Sequence, residues 1–400
     1  MDKRETGCPL SGRCGGCAYQ GMTYEQQCRK KQETVEKFLK GIGRVQPILS
    51  MEEPYHYRNK VHAVFDRDRK GRPIAGIYQE RSHRVVPVEN CMIEDERCSA
   101  VIATVKELLP SFRLKVYDED TGYGFMRHVL VRRGFATGQI MVVLVTASPM
   151  FPSGKHFVKA LLKEHPDITT IVQSVNGRST NMVLGQKEHV LYGKGYIEDI
   201  LCGYIFRISA RSFYQVNPAQ TEKLYEKAIE LAGLTGEEYV LDAYCGVGTI
   251  GMIASKHCRQ VTGVELNPEA VKNAVSNRAV NKADNVHIVQ GDAGDFMLRL
   301  AENGCKPDVV FMDPPRSGST ERFISSVAAA GTGRVVYISC NPETLARDLR
   351  VFGRKGYMTE AVWPVDMFPW TDSVESVTVL RRRQKKNRQY ENAALSCSFM

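Results

Sequence analysis

No part of this sequence approaches the roughly 20 consecutive apolar residues that a helix needs to cross a bilayer, so a membrane span is not expected. The opening residues, Met1-Asp2-Lys3-Arg4-Glu5-Thr6-Gly7-Cys8, contain no apolar signal core. Export is therefore not expected, and the cytoplasm is the expected compartment. Internal repeats and long low-complexity segments are missing, which argues against a repeat array. Positive charge is also scarce outside one segment. Of the formal net charge of +9, residues 381–400 carry +5, leaving +4 on the other 380 residues. Such a tail suits a nucleic-acid partner and equally suits solvated disorder; residues 381–400 are expected to be a basic, disordered tail. The body is too weakly basic to identify a nucleic-acid partner by charge, and nothing points to an obligate protein partner.

What is present fits a soluble globular protein of two or three domains: 400 residues, 43% apolar and 25% charged. Twelve cysteines stand out. In a reducing compartment they should not pair as structural disulfides, so metal binding, catalysis and plain burial are the open uses.

Residues 1–20 are rich in cysteine and glycine and have no periodicity. Residues 24–39 read as a charged amphipathic helix, with Cys28, Val35, Phe38 and Leu39 able to share a face. From about 50 to 205 strand signals dominate. Residues 126–133 and 139–146 flank a glycine-bounded turn and predict a hairpin. Segments 168–175, 182–184, 190–192 and 204–208 also read as extended, with helices near 97–109 and 154–164. After about 210 strands alternate with helices: helix 218–231, strand 239–243, a helix ending at 253, strand 261–265, helix 268–280 and strand 287–290. Strands 309–312 and 335–339 follow, with helices near 320–330 and 342–353. That alternation means a parallel, doubly wound sheet. The expected division is a β-rich domain over 1–208, whose helix 24–40 could pack on the second domain, an α/β domain over 209–380, and the tail.

The second domain contains Gly246-x-Gly248-x-x-Gly251 between a strand and a helix, with Glu265 at the end of the next strand. Such a loop lets a ligand approach the backbone, and the later carboxylate can take ribose hydroxyls. NAD and S-adenosylmethionine both fit that outline. Charge separates them. A pyrophosphate at the helix amino end disfavours a nearby acid, whereas S-adenosylmethionine carries an ammonium and a sulfonium. Asp242, just before the loop, suits that cation, although a carboxylate there can also simply orient the loop. Asp292 after the third strand is placed to meet an adenine edge, and Asp313-Pro314-Pro315-Arg316 follows the fourth. S-adenosylmethionine is the favoured ligand.

Cys340 sits at the carboxyl end of an apolar strand, before Asn341-Pro342, where open α/β sheets bind ligands. On position alone a buried thiol is the plainer reading. Its neighbours argue otherwise. Methyl transfer to an exocyclic nitrogen needs no thiol, and enzymes of that kind commonly stack the base on an aromatic after Asp/Asn-Pro-Pro, where this chain has Arg316. Carbon 5 of a pyrimidine is a poor nucleophile until a thiolate adds to carbon 6. A base must then remove the proton from carbon 5. Asp372 and Glu375 are available near the C-terminus. Glu375, at the start of the last apolar strand, is the chosen base; without Cys340 it would read as an ordinary edge-strand acid.

Cys8, Cys14 and Cys17 form C-x5-C-x2-C, with Gly12, Gly15 and Gly16 between them. Glycines let a backbone wrap closely around a bulky centre. A fourth ligand could come from Cys91 or Cys98; Cys28 fits a helix face better. The spacing lacks paired C-x2-C knuckles, and both zinc and an iron–sulfur cluster remain open on spacing alone.

Through these motifs the chain resembles the RNA 5-methyluridine (uracil-C5) methyltransferases. The matching residues are Tyr57-Arg58-Asn59-Lys60, Ser82-His83-Arg84, Ser212-Phe213-Tyr214-Gln215-Val216-Asn217 and Asp242-Ala243-Tyr244-Cys245-Gly246-Val247-Gly248. Asp313-Pro314-Pro315-Arg316, Ser339-Cys340-Asn341-Pro342 and Val374-Glu375 complete them. The resemblance implies a Rossmann-like methyltransferase domain beside a β-rich RNA-binding domain, with Cys340 as nucleophile and Glu375 as base. It implies S-adenosylmethionine contacts from Gln215, Tyr244, Glu265 and Asp313, to which the loop reading adds Asp242, Gly246, Gly248 and Asp292. It also implies a 4Fe–4S cluster on Cys8, Cys14, Cys17 and Cys91, in a structural and RNA-positioning role. The cluster leans the substrate toward 23S ribosomal RNA, with tRNA uridine-54 as the alternative. A dinucleotide-dependent oxidoreductase with an accessory cluster is the rival of another class, but it leaves Asp313-Pro-Pro-Arg316 and Cys340 without a use. An RNA cytosine-C5 methyltransferase would carry Cys where Arg316 stands. Two departures from the family pattern are Ser373, where His usually precedes Val-Glu, and the expected lack of an N-terminal oligonucleotide-binding barrel. Arg127, Arg132 and Arg133 on the predicted hairpin are candidate phosphate contacts.

Overall fold

The computed structural model describes residues 7–79, 82, 84–178 and 182–383. His83 and the basic tail from residue 384 onward lie outside them. The chain divides into two compact units. One holds the chain up to Gln27, Met51–Thr221 and Phe368–Asp372. The other holds Cys28–Ser50, Glu222–Met367 and the chain from Ser373.

The first unit is built on a seven-stranded sheet. Its spatial order is Val85–Pro87, Pro73–Tyr78, Lys60–Arg67, Met126–Arg133, Ile140–Thr146, Ile168–Val175 and Lys187–Tyr192. Met126–Arg133 and Ile140–Thr146 pair antiparallel across the glycine-bounded turn, as their alternation predicts. Ile168–Val175 then lies parallel to Ile140–Thr146, after the crossover helix Gly154–Glu164. Helix Glu96–Ser111 adds Val101, Val105 and Leu109 to a core that includes Phe157 and Leu161. Tyr204–Ser209 pairs apart from this sheet, with Tyr196–Leu201. Residues 182–184 are not a strand.

Burial of the central strands corrects the expected phosphate contacts. Met126–Arg133 lies inside the sheet and is covered on both faces up to its last residue, so Arg127 and Arg132 have little access to solvent. Arg127 is ion-paired with Glu119 at 2.6 Å and donates to the carbonyls of Asn176 and Arg178 at 2.7 and 2.8 Å. Arg132 is fully buried and donates to the carbonyl of Ser212 at 3.0 Å. Arg127 and Arg132 act within the fold rather than as RNA-facing contacts. Arg133 pairs with Asp95 at 2.9 Å and keeps 36% of its side chain exposed.

The second unit is an eight-stranded sheet. Its order is Arg44–Val45, Tyr357–Val365, Glu375–Arg382, Arg334–Ser339, Val309–Met312, Tyr239–Ala243, Gln260–Glu265 and Val286–Gln290. Glu375–Arg382 runs antiparallel to both its neighbours; every other pairing is parallel. Val35 and Leu39, from helix Tyr24–Leu39, are fully buried in the same apolar cluster as Val310, Val335 and Leu380. Lys31 on that helix meets Asp366 at 2.6 Å, with both side chains fully buried. Several short elements escaped the sequence reading, Arg44–Val45 in this sheet among them, and so did two longer ones of this unit. Strand Tyr357–Val365 contains Glu360 and Pro364, which disguise its pattern. Helix Ala293–Glu302 opens on Ala293-Gly294, and glycine is a poor helix former. No helix among the described residues is long and apolar enough to cross a membrane.

Candidate active site

The parallel strands Tyr239–Ala243, Gln260–Glu265, Val309–Met312 and Arg334–Ser339 present their carboxyl ends along one edge of the sheet. Past Ala243 the backbone turns sharply. Tyr244, Gly246 and Gly248 adopt φ of 64, 57 and 85°, and Gly248 caps helix Thr249–Ala254. Tyr244 is not a glycine, so its left-handed backbone is held by the surroundings rather than preferred. Its ring packs on Phe323 at 5.4 Å.

Two acids brace this turn. Asp242 is buried, and its Oδ2 accepts the Gly251 N–H at 2.8 Å. A Cβ on Gly251 would stand 2.9 Å from that oxygen, which is why the third glycine is needed. Asp242 Oδ1 is buried with no hydrogen-bond partner. Glu265 accepts the Gly246 N–H through Oε2 at 3.0 Å and the Asn267 N–H through Oε1 at 2.7 Å. The loop-orienting reading of Asp242 is therefore met by one oxygen, while the other stays open toward a donor. Asp292 caps helix Ala293–Glu302 by accepting the Asp295 N–H at 3.0 Å. The missed helix thus gives Asp292 a structural duty that the sequence reading did not assign.

Cys340 and Glu375 come together through sheet register. The antiparallel ladder ends on the pair Ser339 with Ser376, so Cys340 and Glu375 are the residues that adjoin its last rung, and the Glu375 carboxyl acts electrostatically on the Cys340 thiol. Glu375 is also paired with Val365 on its other side. Burial pushes its carboxyl up to about 8, with Asp313 adding to the shift. Asp313 is itself pushed up to about 7 by burial, and Asp242 to about 7 by burial with smaller contributions from Asp313 and Glu265. Cys340 is half-buried. Its thiol is pushed up to about 11 by burial, then by Glu375 and Asp313, while Arg316 works in the opposite direction. The edge thus gathers three desolvated acids, and a cation is the ligand that would relieve them.

The loop carrying Asp313 to Ser319 is fastened by residues that the sequence reading passed over. Asp348, on helix Pro342–Arg354, accepts the Ser319 N–H at 2.7 Å and the Tyr337 hydroxyl at 2.6 Å. Arg347 donates to the carbonyls of Ser317 and Ser319 at 2.9 and 3.1 Å. Asn341 caps that helix and also donates to the Arg316 carbonyl at 3.4 Å. The segment after Cys340 and the one after Asp313 are therefore one connected piece of structure. Arg347 and Asp348 sit one turn into a helix, at a spacing that carries no motif.

A family model described as tRNA (Uracil-5-)-methyltransferase matches residues 23–383. The chain belongs to that family. It is 46% identical over 384 residues to an uncharacterized RNA methyltransferase of Halalkalibacterium halodurans, covering 95% of this chain and 84% of that one. A second uncharacterized RNA methyltransferase, from Clostridium acetobutylicum, is 40% identical over 392 residues, covering 96% and 85%. Among solved structures, the Pyrococcus abyssi tRNA (uracil-54, C5)-methyltransferase in complex with S-adenosyl-L-homocysteine matches with a TM-score of 0.78 at 27% identity. The match covers 93% of this chain and 86% of that one. The protein is thus an RNA methyltransferase of the S-adenosylmethionine-dependent uracil-5 family, with the α/β methyltransferase fold that the alternation of strands and helices predicts.

Within this methyltransferase, Gln215 lies in the first unit, about nine-tenths buried, with its carbonyl accepting the Asn59 side-chain N–H at 3.1 Å. The same unit holds the N-terminal cysteines. Cys8, Cys14, Cys17 and Cys91 all line one cavity of about 310 Å³. Cys98 is fully buried on helix Glu96–Ser111, and Cys28 lies beside Asp366 in the second unit, so neither belongs to this set. Among the described residues no three His, Cys, Asp or Glu side chains are grouped as for a single metal ion. The four thiols surround a space instead. Their donor chemistry suits a thiophilic centre, and a polynuclear one uses such a space better than a lone ion with bonds of about 2.3 Å to sulfur.

Proposed function

We propose that this methyltransferase modifies carbon 5 of a uridine in structured RNA, with Cys340 as nucleophile and Glu375 as base. The observation that supports this reading is the ladder that ends beside Cys340 and Glu375, together with the electrostatic coupling of both to the buried Asp313. The target base must leave its stack to present both ring faces. The Cys340 thiolate forms a bond to carbon 6, and the electron pair of the 5,6 double bond moves onto the ring as an enolate. S-adenosylmethionine, when bound, supplies an electrophilic methyl group on a sulfonium. Carbon 5 takes that methyl. Glu375 then removes the proton from carbon 5, the 5,6 double bond returns, and the Cys340–carbon bond breaks. A buried carboxyl raised to about 8 is suited to this exchange. The thiol, held near 11 by burial and then by its acidic neighbours, needs positive charge nearby to ionise; Arg316 already acts in that direction.

Asp242, with one oxygen open, and Asp313 are the proposed partners of the cosubstrate's positive groups. Glu265 would face ribose and Tyr244 and Asp292 the adenosine, with Gly246 and Gly248 allowing close approach. The four cavity cysteines are proposed to hold a 4Fe–4S cluster in a structural and RNA-positioning role. The proposed substrate is 23S ribosomal RNA. A second reading, uridine-54 of tRNA, is favoured by the likeness to the Pyrococcus abyssi enzyme.

RNA containing 5-fluorouridine tests the chemistry, because fluorine cannot leave as a proton. A covalent complex that requires S-adenosylmethionine and is lost in Cys340→Ala is expected; a complex of equal yield in that variant refutes the mechanism. Labelled methyl transfer to 23S RNA against tRNA transcripts decides the substrate. Anaerobic purification should give iron near four per chain, and stoichiometric zinc would refute the cluster.

A further inference from the structure

The wall of the cysteine cavity carries a second feature. Arg58, Lys60 and His62 follow one another at alternate positions leading into and along strand Lys60–Arg67, so they share one face. All three line the cavity that holds Cys8, Cys14, Cys17 and Cys91. Lys60 stands directly across from Arg132 in the antiparallel ladder. Like charges in facing positions repel, and burial sharpens the repulsion. Burial, Arg132 and Arg58 together pull the Lys60 ammonium down to about 8. No carboxylate is bonded to Lys60, Arg58 or Arg132 among the described residues. Arg58 Nε and His62 Nε2 are buried with no hydrogen-bond partner. The one acid on the same wall is Glu94, pushed up to about 7 by burial against the pull of Arg58. Arg58 and Lys60 are half-buried, while burial holds His62 neutral, down to about 4; half-buried cations with orphaned donors and little counter-charge suit an anion.

We propose that Arg58 and Lys60 form a cationic wall for an anionic, thiolate-bound centre in this cavity, with Lys60 supplying the principal balancing charge. The inference rests on the cluster reading given above. Four thiolates make a 4Fe–4S centre a net anion, and one-electron reduction makes it more negative. A nearby fixed positive charge stabilises the reduced form and raises the reduction potential. Lys60 is then a positioning and tuning residue, apart from the methyl-transfer chemistry.

The test uses the full-length protein, purified without oxygen, as wild type, Lys60→Met and Lys60→Arg. Iron and sulfide content, visible absorption and the midpoint potential are measured on each. The expected result is a potential shifted to more negative values in Lys60→Met and restored toward wild type in Lys60→Arg. Preferential loss of iron from Lys60→Met also supports the wall, because the charge is then needed to retain the centre. Equal potentials and equal iron in all three overturn the wall while leaving the cluster intact. Equal loss from both variants overturns the charge role in favour of plain packing. Wild-type protein without iron and sulfide overturns the cluster and the wall together. Should Lys60→Met fail to fold, Arg58→Met provides the same comparison at the other charge of the wall.

Discussion

Cys340 and Glu375 adjoin the last rung of one antiparallel ladder, the one following Ser339 and the other preceding Ser376. The proposed nucleophile and base, from segments 35 residues apart, are therefore both anchored by a backbone ladder. That rigidity is what a two-step addition and elimination requires.

Replacing Glu375 with Gln keeps the shape and removes the base. Addition and methyl transfer can still proceed, but release cannot. A methylated covalent complex with ordinary, unfluorinated RNA should accumulate, visible as a band of lowered mobility under denaturing conditions. Turnover should fall by about 10²–10⁴. Undiminished turnover would remove Glu375 from the mechanism.

The acids at the strand edge predict a pH signature. Asp242 and Asp313 lie near 7 and Glu375 near 8, all above their ordinary values. Raised acids bind protons more tightly in the folded state than in the unfolded one. Their contribution is fully present below about pH 4 and is lost as pH rises through the folded values. From this source the Tm of the free protein should fall between about pH 5 and pH 8. S-adenosylmethionine brings a sulfonium and should raise Tm by an amount that grows across that window. S-adenosylhomocysteine, neutral at sulfur, should show a smaller growth. Equal growth with both ligands in a thermal-shift series would mean that these acids do not face the sulfonium.

Asp348 supports the site from behind. Its carboxylate holds the Ser319 N–H and the Tyr337 hydroxyl, and Arg347 pairs with it at 2.8 Å. Asp348→Ala should cost about 2–4 kcal/mol by leaving buried donors unmet. Asp348→Asn, which keeps an acceptor, should cost less. Denaturant titration of both variants checks the order.

Lys31 and Asp366 form a fully buried ion pair at 2.6 Å. Asp366→Ala should destabilise by about 3–5 kcal/mol, because it strands a buried ammonium. The double variant Lys31→Met, Asp366→Leu should recover much of that loss. An additive double variant in urea unfolding would argue against direct coupling.

Much of this architecture was legible because its signals are local. Strand 239–243, the glycine loop and Glu265 declare themselves within 30 residues, and Cys340 ends a short apolar strand whose direction follows from the alternating pattern. What stayed hidden depends on distant pairing. Glu375 could be recognised as the start of a strand, yet nothing local says that this strand inserts antiparallel between Arg334–Ser339 and Tyr357–Val365. Arg127 and Arg132 look like solvent-facing residues of an amphipathic hairpin, because alternation cannot reveal that the opposite face is covered too. Asp292 reads only as a ligand contact, and the helix that starts immediately after it adds a capping role that no local signal declared.

The short segment Phe368–Asp372 has a meaning for cooperativity. It belongs to the first unit although the strands on either side of it belong to the second. Neither unit is a continuous stretch of chain. Cutting any one peptide bond leaves at least one unit short of a part it needs, so no simple truncation isolates a whole unit. The strand that begins with Glu375 is reached only after the chain has completed an errand in the other unit, so a nascent chain can put the proposed base in place only after that detour.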